Sequence, residues 1–171
     1  MAERASRASI RLHLQQAQRL VGLITDRVLR IADQPSNNQQ LYLTFPGLPA
    51  DLSGVRLRLI VDEFFRVYEF GSGTTSRHTF ITFGYQYKLL DAGNKEILAY
   101  HWHPSGPSKA KQPHLHLGSA AQVRQRDLAA AHLPTGLIAL TDMVELAIEA
   151  FGAEPRTSDW RTVVAEARAA R

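Results

Sequence analysis

An α+β fold is what this 171-residue sequence predicts, and three observations predict it. Residues 10–31 repeat apolar side chains at helical spacing, residues 40–118 alternate apolar and polar side chains between turn-rich stretches, and the helical period returns after residue 140. Strands collected in the middle with helices at both ends describe a segregated arrangement. The expectation is a long N-terminal amphipathic helix, an antiparallel sheet of about five strands and C-terminal helices. No internal repeat, low-complexity tract or linker divides the chain, so residues 1–171 read as a single domain, long enough to bury a core.

The helix comes first. Ile10, Leu14, Ala17, Val21, Ile24, Val28 and Ile31 follow at steps of four and three, with Leu20 and Leu23 widening the stripe. Such a stripe can cross a sheet of its own chain or pair with a second helix, so residues 1–33 are also a candidate homodimer surface. The same segment carries Arg4, Arg7, Arg11, Arg19, Arg27 and Arg30 against Glu3 and Asp26, which accounts for the whole formal charge of +4. These arginines form either a solvated face or a surface for phosphates or an acidic partner. The polar stretch "DQPSNNQQ" ends the helix as a loop.

The strands follow. "LYLTF" is short, and "PGLPADLSG" is a turn-rich connection. "VRLRLIVDEFFRVYEF" suits a long or bent strand, and "GSGTTS" after it is a flexible loop without the lysine of a phosphate loop. "RHTFITFGYQYKLL" and "KEILAYHWHP" flank the turn "DAGN". Closing that turn over two or four residues sets Phe83 against Trp102, Tyr85 against Tyr100 and Tyr87 against Leu98 on an aromatic face. Thr82 then faces His103, Gly84 faces His101 and Gln86 faces Ala99 on a polar one. Across the proline-bracketed loop "PSGPSKAKQP", the next pairing sets His103 against His114, His101 against His116 and Trp102 against Leu115. A slip of two residues keeps every histidine on its face, whereas a slip of one reverses them and exposes Trp102 or Leu115.

The tail is helical. Thr141 can cap a helix burying Met143, Leu146, Ala147 and Ala150, which Gly152 and Pro155 end. Ser158 can cap a last helix whose stripe is Trp160, Val163, Val164 and Ala167.

Composition narrows the chemistry. Without cysteine there are no disulfides, thiol nucleophiles or thiolate ligands, so a metal would rest on histidine and carboxylate. No apolar run spans a bilayer and "MAERASRASI" lacks a secretory apolar stretch, so the expected setting is the cytoplasm, with no membrane partner. What stands out is "AYHWHP" and "PHLHLG", which hold four of the seven histidines. On strands, each His-x-His pair points one way. The candidate catalytic set is therefore His101, His103, His114 and His116, with His132 of "AAHLPTG" brought to the rim of the sheet by its turn. His78 shares the face two rows away, and His13 is read as structural or exposed.

Three readings apply to this cluster. It can be a solvated face. It can be a metal-independent ribonuclease: crowded imidazoles split into base and acid, and cleavage through the 2′-hydroxyl also wants a cation on the phosphate. Lys109, Lys111 and Lys88 are the candidate cations, and Gln86 a polar substrate contact, with RNA as partner and no cofactor. Third, His101, His103 and His116 can hold zinc with a position open for water, and Asp62 or Glu63 can add a carboxylate, giving a metal-dependent hydrolase. A cupin-like barrel would need a glutamate soon after "HWHP", and a histidine-triad hydrolase a third alternate histidine where Gly118 stands. Neither is present. A non-catalytic binding or assembly subunit, using residues 1–33 as its interface, is the remaining class.

The order "HWHP", "PHLHLG", "AHLPTG" before a helical tail resembles the TumE-type toxin family of bacterial toxin–antitoxin systems, over about residues 99–136. The resemblance implies a cytosolic growth inhibitor neutralised by an antitoxin protein encoded nearby, with His101, His103, His114, His116 and His132 as its functional set. The arginine-rich N-terminal helix has no counterpart in that pattern.

Overall fold

A computed structural model of the chain describes residues 2–33, 40–47, 49–70, 77–105, 109–123 and 131–170. The loops expected at 34–39 and 71–76 and the side chains of Arg4, Arg7 and His78 lie outside the described residues. Helix α1 spans Ala2–Val21. The strands are β1 Arg30–Asp33, β2 Gln40–Thr44, β3 Ala50–Asp51, β4 Leu57–Phe70, β5 Arg77–Asp91, β6 Glu96–Trp102, β7 His114–Leu117 and β8 Leu133–Pro134. A 3₁₀ turn occupies Ser119–Ala121, and the chain ends in α2, Leu140–Glu149, and α3, Trp160–Ala169. All the strands belong to one antiparallel sheet in the order β1-β2-β4-β5-β6-β7-β8, with β3 paired to β4. The α+β class holds, but the sheet has eight strands among the described residues rather than about five. No helix among the described residues is long and apolar enough to cross a membrane.

One extra strand comes from the segment read as helix. The helical period of residues 10–31 is followed only to Val21. The Gln18 side chain then folds back on the segment beyond: its Nε2 donates to the Arg27 carbonyl at 3.1 Å and its Oε1 accepts from Leu29 N at 2.7 Å. Those bonds hold residues 27–29 in a conformation that cannot continue the helix, and β1 pairs with β2 instead, Ile31 opposite Leu43. Val28, on the predicted stripe, is exposed, while Leu29, off it, is buried.

The inner face of the sheet carries Leu59, Val61, Phe65, Tyr85, Tyr87 and Leu89, all fully buried. Against it pack Ala17, Leu20 and Val21 of α1, Met143 and Val144 of α2, and Val163 and Val164 of α3. The apolar stripe of α1 is therefore used inside the chain, while Leu12 on its other side is 55% exposed. The helix caps differ from those expected. Thr141 lies within the first turn of α2, where the Asp142 carboxylate accepts from Ala139 N at 2.8 Å, and Asp159 rather than Ser158 precedes α3.

Both expected registers are displaced by two residues with their faces intact. In the β5–β6 hairpin Asp91 N donates to the Lys95 carbonyl at 2.9 Å, so the loop is Ala92–Gly93–Asn94. Asn94 takes the left-handed conformation (φ 63°), as the third residue of such a loop does. This odd-length loop alone would reverse the faces. An irregularity between Leu89 and Leu90 adds a second single step and restores them, so Gln86 lies opposite His101 and Tyr87 opposite Tyr100. Between β6 and β7, His101 lies opposite His114 and Ala99 opposite His116.

A further bulge overturns one assignment. Phe64 pairs with Gly84 but Phe65 pairs with Thr82, leaving Phe83 without an opposite residue. Thr82 consequently turns to the inner face, where its hydroxyl meets Glu63 at 2.5 Å, instead of facing His103. Phe83 joins Phe64 on the outer face, ring centroids 6.2 Å apart, instead of facing Trp102. Gly84 beside the bulge has no room for a side chain: a Cβ there would stand 3.0 Å from the Trp102 carbonyl oxygen and 3.6 Å from the Phe64 ring.

Candidate functional site

Alternation along β6 turns Tyr100 and Trp102 toward the core and His101 and His103 outward, and β7 does the same with Leu115 and Leu117 against His114 and His116. Strand β8 pairs Leu133 with Leu115 and Pro134 with His114, which brings His132 alongside His116. All five histidines of the predicted set meet on the outer face. Ring centroids stand 4.7 Å apart for His101–His116, 4.8 Å for His114–His116 and 5.8 Å for His101–His114. His132, exposed at the rim, lies 4.3 Å from His116 and 4.9 Å from His114. His103 is at the other end, 5.8 Å from His101 and edge-on to Phe64 at 6.1 Å.

Within this chain of rings, His101, His114 and His116 form a tighter unit: each offers a ring nitrogen, and the three nitrogens lie within 4.8 Å of one another. The two-residue displacement decides membership. It sets His114 rather than His116 opposite His101, so His114 takes the place expected for His103 in the metal-ligand alternative. The Nε2 of His101 is buried and has no hydrogen-bond partner among the described residues. His114 is 5% exposed and its Nδ1 lies 2.7 Å from the Gln112 carbonyl oxygen. A carbonyl only accepts, so Nδ1 carries the proton and the Nε2 lone pair is left for the cluster. Zinc bound through nitrogen at about 2.0–2.1 Å needs its ligand atoms about 3.4 Å apart, closer than the 4.8 Å limit within which the trio's nitrogens lie. The donor set fits a first-row transition ion.

The electrostatics favour neutral rings. Burial, followed by the neighbouring His116, Lys88, His103 and His114, pushes the His101 pKa down to about 3. His103 is also lowered, mainly by burial and by His114, with Asp62 opposing. His116 is lowered mainly by burial and by His132 and His114, with Glu96 opposing. These downward shifts favour the neutral form of the ring, the form in which His101 and His116 can bind a metal.

The remaining predicted residues fall at different distances from this centre. Gln86 lies opposite His101, and Lys88 opposite Ala99, on the same face. Lys88 is held by Glu96 at 3.2 Å. Lys109 and Lys111 are exposed on the approach to β7. Of the two carboxylates, Asp62 is on the histidine face, opposite Gln86, and accepts from Tyr42 OH at 2.5 Å and Thr44 Oγ1 at 2.7 Å. Glu63 points to the inner face, as does His13, which stacks on Phe80 at 4.5 Å.

Sequence reasoning missed an aromatic strip beside His103. Tyr42 stacks on Phe64 at 4.9 Å, Phe64 neighbours Phe83, and the Arg66 guanidinium lies 5.1 Å over the Phe83 ring. The signal was Gly84, whose presence in a strand marks a bulge that moves Phe83 across. Comparison of the chain with family models, curated proteins and solved structures returns no match.

Proposed function

We propose that the outer face is a hydrolytic centre that binds a transition ion, zinc foremost, on His101, His114 and His116, and that it cleaves single-stranded RNA. One observation carries the reading: His101, His114 and His116 each offer a ring nitrogen within 4.8 Å of the others, and His101 has a buried Nε2 without a hydrogen-bond partner among the described residues. A bound ion supplies Lewis acidity and activates a water. His132, beside His116 and open to solvent, carries a proton to or from the reacting groups in this reading. The Tyr42–Phe64–Phe83 strip offers faces on which unpaired bases stack, and Arg66 offers a cation for the backbone. In this reading the chain is a toxin-type enzyme acting in the cytoplasm, and its antitoxin is a second protein covering this face.

The second reading is metal-independent cleavage of RNA. It is favoured by the contact of His132 with His116, a pair able to act as acid and base, with Lys88 nearby. One experiment separates the two. The purified chain is assayed for bound metal by mass spectrometry, then for cleavage of a single-stranded RNA before and after chelation. The metal-centre reading expects about one zinc per chain, loss of cleavage on chelation and loss of both metal and cleavage in His101→Ala and His116→Ala. Cleavage that survives chelation and disappears in His132→Ala establishes the second reading. No cleavage in either state removes both.

A further inference from the structure

The side of the sheet away from the histidines holds a cavity of about 620 Å³, and its lining is chemically divided. Ala17 and Leu20 of α1, Phe80 of β5 and Val163 and Ala167 of α3 supply apolar walls. Glu63, Thr82 and Thr141 supply a polar end. Glu63 is 3% exposed. Its carboxylate accepts from two neutral hydroxyls, Thr82 Oγ1 at 2.5 Å and Tyr87 OH at 3.0 Å. Among the described residues it has no ion-pair partner, while the cation at the mouth, Arg19, is paired with Glu166 at 2.7 Å. Thr141 is also 3% exposed, and its hydroxyl has no hydrogen-bond partner among the described residues.

A carboxylate taken out of water is costly unless a cation or several donors answer it, and a buried hydroxyl left unmade costs further. Both unmet groups face one cavity of a size typical of small-molecule sites, about 300–1,000 Å³. A metal ion would find one uncommitted carboxylate there, because Glu166 in the lining is already held by Arg19, and that is too few oxygens for a hard cation. An organic ammonium fits the observations: charge on Glu63, a hydroxyl within reach of Thr141, and an apolar body against the stacked pair of His13 and Phe80.

We propose that this cavity is a second ligand site, distinct from the histidine centre, that binds a small organic amine with an apolar or aromatic body. The proposal does not depend on the function of the outer face. The test is isothermal titration of the full chain with tyramine, and with 3-(4-hydroxyphenyl)propionate as a probe of similar shape and opposite charge. Tyramine is expected to bind one per chain with Kd below about 1 mM, and the propionate not to bind. Glu63→Gln is expected to weaken tyramine by about tenfold or more. Ala167→Phe, which fills the cavity from its half-exposed wall, is expected to abolish binding while the chain stays folded by circular dichroism, and it decides the matter should Glu63→Gln fail to fold. The double variant His101→Ala, His116→Ala is expected to bind tyramine like the parent, so failure of the metal centre leaves this result intact. Absence of saturable tyramine binding, equal binding of the propionate, or binding unaffected by Ala167→Phe overturns the proposal.

Discussion

His101 sits where burial and charge act in the same direction. It is enclosed on the sheet, with His116, Lys88, His103 and His114 around it, and every one of these neighbours opposes a positive ring. Its folded-state pKa of about 3 lies below the value near 6.5 of the unfolded chain, so the folded state binds fewer protons. The stability this contributes is present above about pH 6.5 and is lost as the pH falls toward 3. His103 and His116 shift the same way and add to the slope. Metal-free protein is therefore expected to show a melting temperature that declines through this window, and His101→Gln to decline less steeply. Thermal melts in chelator from pH 7.5 to pH 3.5 check this, and parallel curves for the two proteins would contradict it.

At the scale of elements, the site depends on single-residue irregularities in the long hairpins. The three-residue loop after Asp91 and the step between Leu89 and Leu90 each reverse parity, and together they leave the histidines outward. The bulge at Phe64/Phe65 is of a different kind, because it is not compensated: it moves Phe83 to the outer face and Thr82 to the cavity. Gly84 lets the Trp102 carbonyl of β6 and the Phe64 side chain of β4 come close to β5 beside that bulge. Gly84→Val is expected to destabilise the fold by about 1–3 kcal/mol through overpacking against the Trp102 carbonyl and Phe64. Chemical denaturation measures this. A variant within about 0.5 kcal/mol of the parent would show that the bulge does not need the glycine.

The whole molecule divides its labour between the two faces of one sheet. The three helices among the described residues close the inner face and bury the apolar stripe of α1, while the outer face keeps the polar and aromatic residues of β2, β4, β5, β6 and β7. Val21 is 0% exposed and Leu12 is 55% exposed, on the same helix. Val21→Glu is expected to abolish cooperative unfolding, since it places a charge in the core without a partner. Leu12→Glu is expected to change stability by no more than about 0.5 kcal/mol. Thermal melts of the two variants compare them directly. A cooperative transition in Val21→Glu would mean that α1 does not pack as described.

Much of the site was legible in two hexapeptides. In "AYHWHP" and "PHLHLG" the alternation of imidazole with Trp102, Tyr100 and Leu115 ties the histidines to one face, because burial of the apolar partners forbids any one-residue slip. The lack of cysteine likewise left nitrogen and oxygen as the available ligand atoms. Which three rings converge was decided only by tertiary structure. Loop length and bulges set the register in steps of one, local periodicity cannot distinguish registers two apart, and His114 displaced His103 for that reason. The end of α1 at Val21 was likewise invisible, because the apolar period continues past it. The helix closes in a tightened turn, with Leu23 N donating to the Leu20 carbonyl and Ile24 N to the Val21 carbonyl, and the capture of Arg27 and Leu29 by Gln18 then directs the chain toward β1.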